Sequence, residues 1–314
     1  MRQKPEVKLT DVLVIGGGLA GLWAAIRAKD FAERVVLVEK AKVARSGVSL
    51  FCHAYGAPMS EDTHEALLKE FVERSGYLGD QSWFEILLQE IGDRVNDMEK
   101  FGVIFEKDEN GNLKLDAIRG QKIKSCALAR GMQVIETMRR EALNRGVELV
   151  ERVAIFELLT SDGNHPTQGD IVGALGIHTR TGNVVVFQSG AVVITTGGIS
   201  SKLHSHYMDN ITGDGHAMAF RAGAELAGME LSPSFGFGIW NRKFITGGQG
   251  QFQHEGARLV NKSGDEFLRK YPDASKGSIG FEGEDDFGNL SRAITVEILE
   301  GRGPVYFDLR GWSE

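Results

Sequence analysis

Short apolar runs alternate along this chain with stretches in which apolar residues recur every three to four positions, a pattern that predicts an α/β fold. Val12 to Ile15 is an unbroken apolar run and reads as a strand buried on both faces, as in a parallel sheet. A helix follows through Leu22 to Asp30, then a second strand from Val35 to Val38. Lys40 to Met59 is broken by Gly47, Gly56 and Pro58 and reads as a loop. From Glu61 to Phe101 the spacing is helical, with Leu67, Phe71 and Val72 on one apolar face and Phe84, Leu88, Ile91 and Val95 on another. Gly79-Asp80 separates the two helices. Phe105 to Leu115, with Glu109-Asn110-Gly111 at its tip, reads as a hairpin. Ala129 to Arg145 is a further helix, followed by a short strand at Val147 to Val150. Ala154 to Leu159, Ile171 to His178 and Val184 to Phe187 read as antiparallel strands, and Ala191 to Ile194 as a separate buried strand. The expected architecture is therefore α/β, a doubly wound domain with an antiparallel β insert. A composition shift near Met229, with a glycine-rich region from Ser232 to Gly256, divides the chain into residues 1–228 and 229–314.

The turn after the first strand carries the most specific chemistry. Gly16 lets the chain turn sharply, Gly18 lets the backbone approach a pyrophosphate, and Gly21 lets the next helix pack close to the sheet. The free N–H groups and dipole at the start of that helix favour a bound anion. Glu39, at the end of the second strand, is placed to accept hydrogen bonds from ribose hydroxyls. Strand, glycine turn, helix and distal acid together predict a dinucleotide site. They leave FAD and NAD equally open.

At 314 residues the chain is long enough for two domains. Its 36 Lys and Arg against 43 Asp and Glu give a net charge of −7, which argues against a broad nucleic-acid surface. Cys52 and Cys126 are too few for a disulfide framework or a cysteine-only cluster site; they fit a reducing compartment. The N-terminal residues lack the apolar core of a signal peptide, and no stretch approaches the length of a membrane span. A cytoplasmic location with no metal site is the expectation.

Three later segments narrow the cofactor: Thr195-Thr196-Gly197-Gly198, Thr212-Gly213-Asp214-Gly215 through Glu225, and Glu255 through Phe267 with Asn261-Lys262 at its centre. In this order, and with Ser291-Arg292-Ala293-Ile294 and Tyr306-Phe307-Asp308-Leu309 behind them, the chain resembles the flavoprotein subunits of the fumarate reductase and succinate dehydrogenase family. L-aspartate oxidase and adenylylsulfate reductase belong to the same group. The resemblance implies FAD and disfavours an NAD-dependent dehydrogenase. It implies cofactor contacts at Gly16, Gly18, Gly21, Glu39, Lys40, Ser46, Gly47, Ala154, Thr196, Gly197, Gly198 and Asp214. Asp214 also reads as a helix N-cap, with Gly213 shaping the turn. Residues 229–314 would form a partial α+β capping domain on the substrate side.

The chain also departs from the pattern. Members with covalent flavin carry histidine after the Arg-Ser pair, where Gly47 follows Arg45-Ser46, so FAD is expected to be non-covalent. Dicarboxylate-specific members carry a histidine soon after Met-Glu; Met229-Glu230 leads into Leu-Ser-Pro-Ser-Phe with none. Gln253 stands where fumarate reduction uses a proton-donating arginine, and a neutral amide cannot replace that cation. Fumarate and succinate are therefore not expected as substrates. His254, Arg258 and Arg292 are the candidate catalytic residues, as a general acid and two carboxylate-gripping cations. The expected function is hydride or electron transfer through FAD to a small molecule or electron carrier, and the resemblance adds a partner, an iron–sulfur electron-transfer subunit. The second reading is a non-catalytic FAD-binding or relay subunit, because family members continue well past the equivalent of Leu309.

Overall fold

A computed structural model describes residues 4–116, 123–199, 211–229, 239–241, 244–246, 258–271 and 287–310. Strands β1 (Glu6–Ile15), β2 (Val35–Glu39), β6 (Glu148–Glu151), β7 (Val153–Thr160), β8 (Ile171–His178) and β9 (Val184–Ile194) form one sheet in the order β6-β2-β1-β9-β8-β7. The first four run parallel, whereas β8 pairs antiparallel with both β7 and β9. Helices α1 (Leu19–Ala28) and α4 (Gly131–Asn144) pack on one face of the parallel part, and α5 (Asp214–Ala222) follows β9.

The apolar runs explain why this sheet forms. Val35 to Val38 are all buried, and Leu13, Val14 and Leu37 are wholly enclosed. Val14 and Leu37 pack with Leu22, Ile26, Val134, Ile135 and Met138 of α1 and α4. Leu13, Ile15, Val36 and Val38 face the other way and meet Val153, Ile155, Leu158, Phe187 and Met218. The second face is thus covered by antiparallel strands and α5, where doubly wound packing predicts helices. Each fully enclosed Leu or Phe contributes about 2–3 kcal/mol.

Helices α2 (Glu61–Arg74) and α3 (Gln81–Lys100) confirm the break at Gly79-Asp80. Ser60 caps α2 through Thr63 N–H, and Asp80 caps α3 through the N–H groups of Ser82 and Trp83. Two expectations change. The loop from 40 to 59 contains a short 3₁₀ turn and β3 (Ala54–Gly56), which pairs with β5 (Cys126–Leu128); β4 (Leu115–Asp116) completes that small sheet. The two strands expected at 184–187 and 191–194 are one continuous strand, because Leu9, Thr10 and Val12 of β1 pair straight through Gln188, Ser189 and Ala191. That same pairing extends β1 back to Glu6. The tip at 108–112 is closed by Asp108, whose carboxylate accepts the N–H groups of Asn110 and Asn112, with a bridge between Lys107 and Leu113.

Beyond residue 229, β10 (Ile239–Asn241) pairs with β11 (Phe244–Thr246), and β12 (Arg258–Val260) with β13 (Tyr306–Asp308); α6 spans Phe287–Leu299. Leu259, Phe267 and Ala293 form a separate small core. No helix among the described residues is long and apolar enough to cross a membrane.

Candidate functional site

The C-terminal ends of β1, β2 and β9 open into one crevice of about 320 Å³, beside the point where the strand order departs from β1 in both directions. Ligands of open α/β sheets bind at such a switch point. Its walls are the turn from Gly16 to Ala20, the end of β2 at Val38 to Lys40, the loop from Ser46 to Ser49, and the Thr195 to Gly198 stretch. Val153 and Ile155 of β7 and the segment Ile211 to Asp214 complete it.

The glycine turn is fixed by close approach. Gly16 has φ +115°, and a Cβ there would lie 2.4 Å from the Thr195 carbonyl oxygen. Thr195 locks the same turn with its hydroxyl, 2.9 Å from the Ile15 carbonyl and 3.0 Å from that of Gly16. A Cβ on Gly21 would lie 1.8 Å from the Gly16 carbonyl oxygen, so α1 can rest on the turn only with glycine there.

Glu39 organises the neighbouring backbone. The residue is buried, 8% exposed, and Oε2 accepts the Gly17 N–H at 2.7 Å. Oε1 accepts the Ala41 N–H and the Ser46 hydroxyl, each at 3.0 Å. Oε2 keeps capacity for one more donor. The N-cap of helix α1 is Gly18, which has no side chain to cap it, and the Leu19 N–H donates to Ser49 Oγ at 3.1 Å. Across the crevice, Lys40 Nζ donates to Thr212 Oγ1 at 2.8 Å and lies 3.4 Å from Asp214 Oδ2. The Thr212 hydroxyl donates to the same carboxylate oxygen.

Of the residues predicted from sequence, Gly16, Gly18, Glu39, Lys40, Ser46, Gly47, Thr196, Gly197, Gly198 and Asp214 line this crevice. Gly21 and Ala154 do not: Gly21 serves helix packing, and strand alternation turns Val153 and Ile155 inward instead of Ala154. Asp214 is not the N-cap of α5. Gly213, left-handed at φ +77°, holds that place, and Asp214 is the first helical residue. Sequence reasoning missed Gly17, Ser49, Thr195, Thr212, Val153 and Ile155. Gly17, Thr195 and Thr212 had a local signal, as members of the sequence motifs; Ser49 comes from a different part of the chain.

The substrate-side candidates are not brought together with the crevice. Arg258 and Arg292 are not among its lining residues. Arg258 pairs with Glu266 at 2.6 Å and Asp308 at 2.9 Å, while Arg292 is exposed on α6. His254 and Gln253 lie outside the described residues.

The crevice fits a dinucleotide. Gly47 and Gly198 line it, and a Cβ on either would meet no atom within 4 Å, so side chains there would fill the space a ligand needs. Backbone N–H groups at the start of α1 suit a pyrophosphate, Glu39 Oε2 a ribose hydroxyl, and Val153 with Ile155 an apolar ring.

Comparison with known proteins points the same way. A family described as FAD binding domain matches residues 11–313. A fumarate reductase (CoM/CoB) subunit of Methanothermobacter marburgensis is 27% identical, covering 97% of this chain and 56% of that protein. The succinate dehydrogenase flavoprotein subunit of Rickettsia conorii is 28% identical over 93% of this chain and 49% of its own length. Among solved structures, Mycobacterium smegmatis Sdh1 in complex with UQ1 has a TM-score of 0.80 at 27% identity, covering 97% of this chain and 53% of that one. The chain spans about half the length of the curated relatives it matches. With the glycine turn, Glu39 and the Thr-Gly-Asp segment meeting in one crevice, the chain belongs to the FAD-binding domain family, of the succinate dehydrogenase and fumarate reductase flavoprotein type, and FAD is its cofactor.

Proposed function

We propose that this chain is the flavin-bearing part of an oxidoreductase that moves electrons between FAD and a small organic molecule. The observation that carries the reading is the convergence of Glu39, the α1 N-terminus and Asp214 on the crevice at the ends of β1, β2 and β9. Bound FAD supplies a ring that can take up or give up electrons. The protein supplies the hold: main-chain N–H groups from the glycine turn, the Glu39 carboxylate, and an apolar wall from Val153 and Ile155. Gly47 offers no nucleophilic side chain after Arg45-Ser46, which supports non-covalent binding.

The substrate is proposed to lie between residues 1–228 and 229–314 and to be neither fumarate nor succinate. Gln253 is neutral, and no histidine follows Met229-Glu230 before Phe237, so the cation and proton donor that a dicarboxylate reaction needs are missing from those positions. Arg292 is the stronger substrate-side cation, because the Arg258 guanidinium is already engaged by two carboxylates; His254 is the general-acid candidate. The relatives from Methanothermobacter and Rickettsia are both named as subunits, which supports a separate electron-transfer partner, with an iron–sulfur protein as the proposed kind.

The visible spectrum of the purified protein tests this. Flavin bands should survive desalting and leave with the small molecules after denaturation. A folded, colourless preparation that takes up no FAD would overturn the redox role. Anaerobic addition of succinate should leave the flavin oxidised. Bleaching by succinate would overturn the substrate reading while leaving the cofactor in place.

A further inference from the structure

We propose that Thr195 is a positioning residue for FAD: together with Glu39 it fixes the Gly16–Gly17 peptide in the orientation that suits the cofactor. The proposal rests on FAD occupying the crevice. A trans peptide points its carbonyl and its N–H in opposite directions, so two groups on opposite sides can hold it. Here the Gly16 carbonyl accepts the Thr195 hydroxyl at 3.0 Å, and the Gly17 N–H of the same peptide donates to Glu39 Oε2 at 2.7 Å. Thr195 follows the end of β9 and Glu39 ends β2, so this one peptide ties together the strands on either side of β1.

The neighbouring peptides are held by main chain alone. Before it, the Ile15 carbonyl accepts the Thr195 N–H at 2.8 Å, and the Gly16 N–H donates to the Val38 carbonyl at 2.8 Å. After it, the Gly17 carbonyl accepts the Ala44 N–H at 3.0 Å. The middle peptide has glycine on both sides, with Gly16 at φ +115°, and among the described residues no main-chain group bonds to either end of it. Without a Cβ on either side to resist rotation, it is the unit of the turn that most easily turns over. The Thr195 hydroxyl has a single proton and two carbonyls in reach, Ile15 at 2.9 Å and Gly16 at 3.0 Å. Because the Ile15 oxygen already has the Thr195 N–H, the Gly16 oxygen is the one that depends on the hydroxyl.

Turned over, the peptide would set the Gly16 oxygen against the Glu39 carboxylate and take the Gly17 N–H away from it. The carboxylate would lose the donor that orients it towards the ribose, and a carbonyl would replace an N–H on the crevice wall. Thr195 therefore acts on FAD through the turn and through Glu39.

Two measurements on the whole chain test this, one without cofactor and one with it. In FAD-free protein carrying isotope-labelled glycine, NMR identifies the Gly17 amide through the Gly16 carbonyl, and its short bond to a carboxylate should set it far downfield. Thr195→Ala should move that amide upfield, and Thr195→Ser, which restores a donor, should return it. A residue that only touched FAD would leave this signal unmoved. In fluorescence titration with free FAD, Thr195→Ala should raise the dissociation constant roughly fivefold. An unpaired buried carbonyl makes the competent orientation a minor one, and affinity falls with its population. Thr195→Ser should stay within about twofold of the unaltered protein. An unmoved Gly17 amide, an unchanged dissociation constant in Thr195→Ala, or a loss that Thr195→Ser fails to restore would overturn the assignment. If Thr195→Ala does not fold, Thr195→Val, which keeps the bulk and lacks the donor, decides by the same two readings. Unaltered protein that takes up no FAD defeats the cofactor reading instead, and the amide of the FAD-free protein still shows whether Thr195 holds the peptide.

Discussion

The Gly17 backbone N–H and Glu39 Oε2 meet at 2.7 Å across twenty-two residues of chain, joining the glycine turn to the end of β2. A carboxylate placed for ribose hydroxyls is thus also the group that shapes the turn beside them. Glu39→Ala should lower FAD affinity roughly 10- to 100-fold, because a charge-assisted hydrogen bond worth about 1.5–3 kcal/mol is lost and the Gly17 N–H is left without its acceptor. Fluorescence titration with FAD measures this. Unchanged affinity would remove Glu39 from the site.

Two glycines of the crevice should respond in opposite ways. Gly16→Ala sets a Cβ 2.4 Å from the Thr195 carbonyl at φ +115°, so the fold should lose about 3 kcal/mol or fail to form. Gly198→Ala meets no atom within 4 Å, so stability should stay within about 0.5 kcal/mol while FAD binding weakens. Urea denaturation and FAD titration on both variants check the contrast. Equal loss of stability in the two would contradict it.

Acid should act on the C-terminal core through Glu297. That carboxylate has no solvent exposure and accepts two hydrogen bonds from Arg302, at 2.7 and 2.9 Å, one from Asn261 at 3.0 Å and one from the Tyr271 hydroxyl at 3.1 Å. The Arg302 guanidinium is the main cause that draws its pKa down from 4.5 to about 2. A depressed carboxylate pKa contributes stability that is complete above the ordinary value and lost as pH falls towards the lowered one. Glu297→Gln should therefore cost about 2 kcal/mol at neutral pH, and the gap to the unaltered protein should close between pH 4.5 and 2. Unfolding curves over that range test it; a gap independent of pH would show that the charge is irrelevant.

Arg258 and Arg292 should separate by readout. Arg258 bridges Glu266 and Asp308, and the Asp308 carboxyl, held well below the usual range chiefly by Arg310, is almost wholly buried. Arg258→Ala should lower stability by about 1–2 kcal/mol and leave FAD affinity unchanged, since this residue does not line the crevice. Arg292→Ala should leave stability within about 0.5 kcal/mol and slow flavin bleaching by any anionic donor that reduces the unaltered protein. Thermal melts and anaerobic bleaching rates distinguish the pair. A bleaching rate untouched by Arg292→Ala would remove that residue from the proposed substrate side.

Much of this fold is local and therefore legible. The apolar run at Val12–Ile15, the all-buried run at Val35–Val38 and the caps at Ser60 and Asp80 are properties of adjacent residues, and each element forms close to where its pattern sets it. The errors fall where a distant partner decides. Gln188-Ser189-Gly190 has the look of a break, yet β1 runs alongside and keeps β9 whole. Ala54 to Gly56 lacks a strand pattern of its own and becomes a strand because Cys126 to Leu128 pairs with it.

The same division holds at the site. The order of residues alone predicted a dinucleotide site from the glycine turn and the acid at the end of the next strand, short motifs whose backbone demands are local, while the Thr-Gly-Asp turn was added to that site by the family resemblance. Only the folded chain decided that Ser49 meets the start of α1, that Val153 and Ile155 face inward where Ala154 does not, and that Lys40 reaches Asp214. Those are contacts between segments 30 to 174 residues apart, and their geometry is set by how the sheet and its two faces pack. No spacing along the chain encodes it.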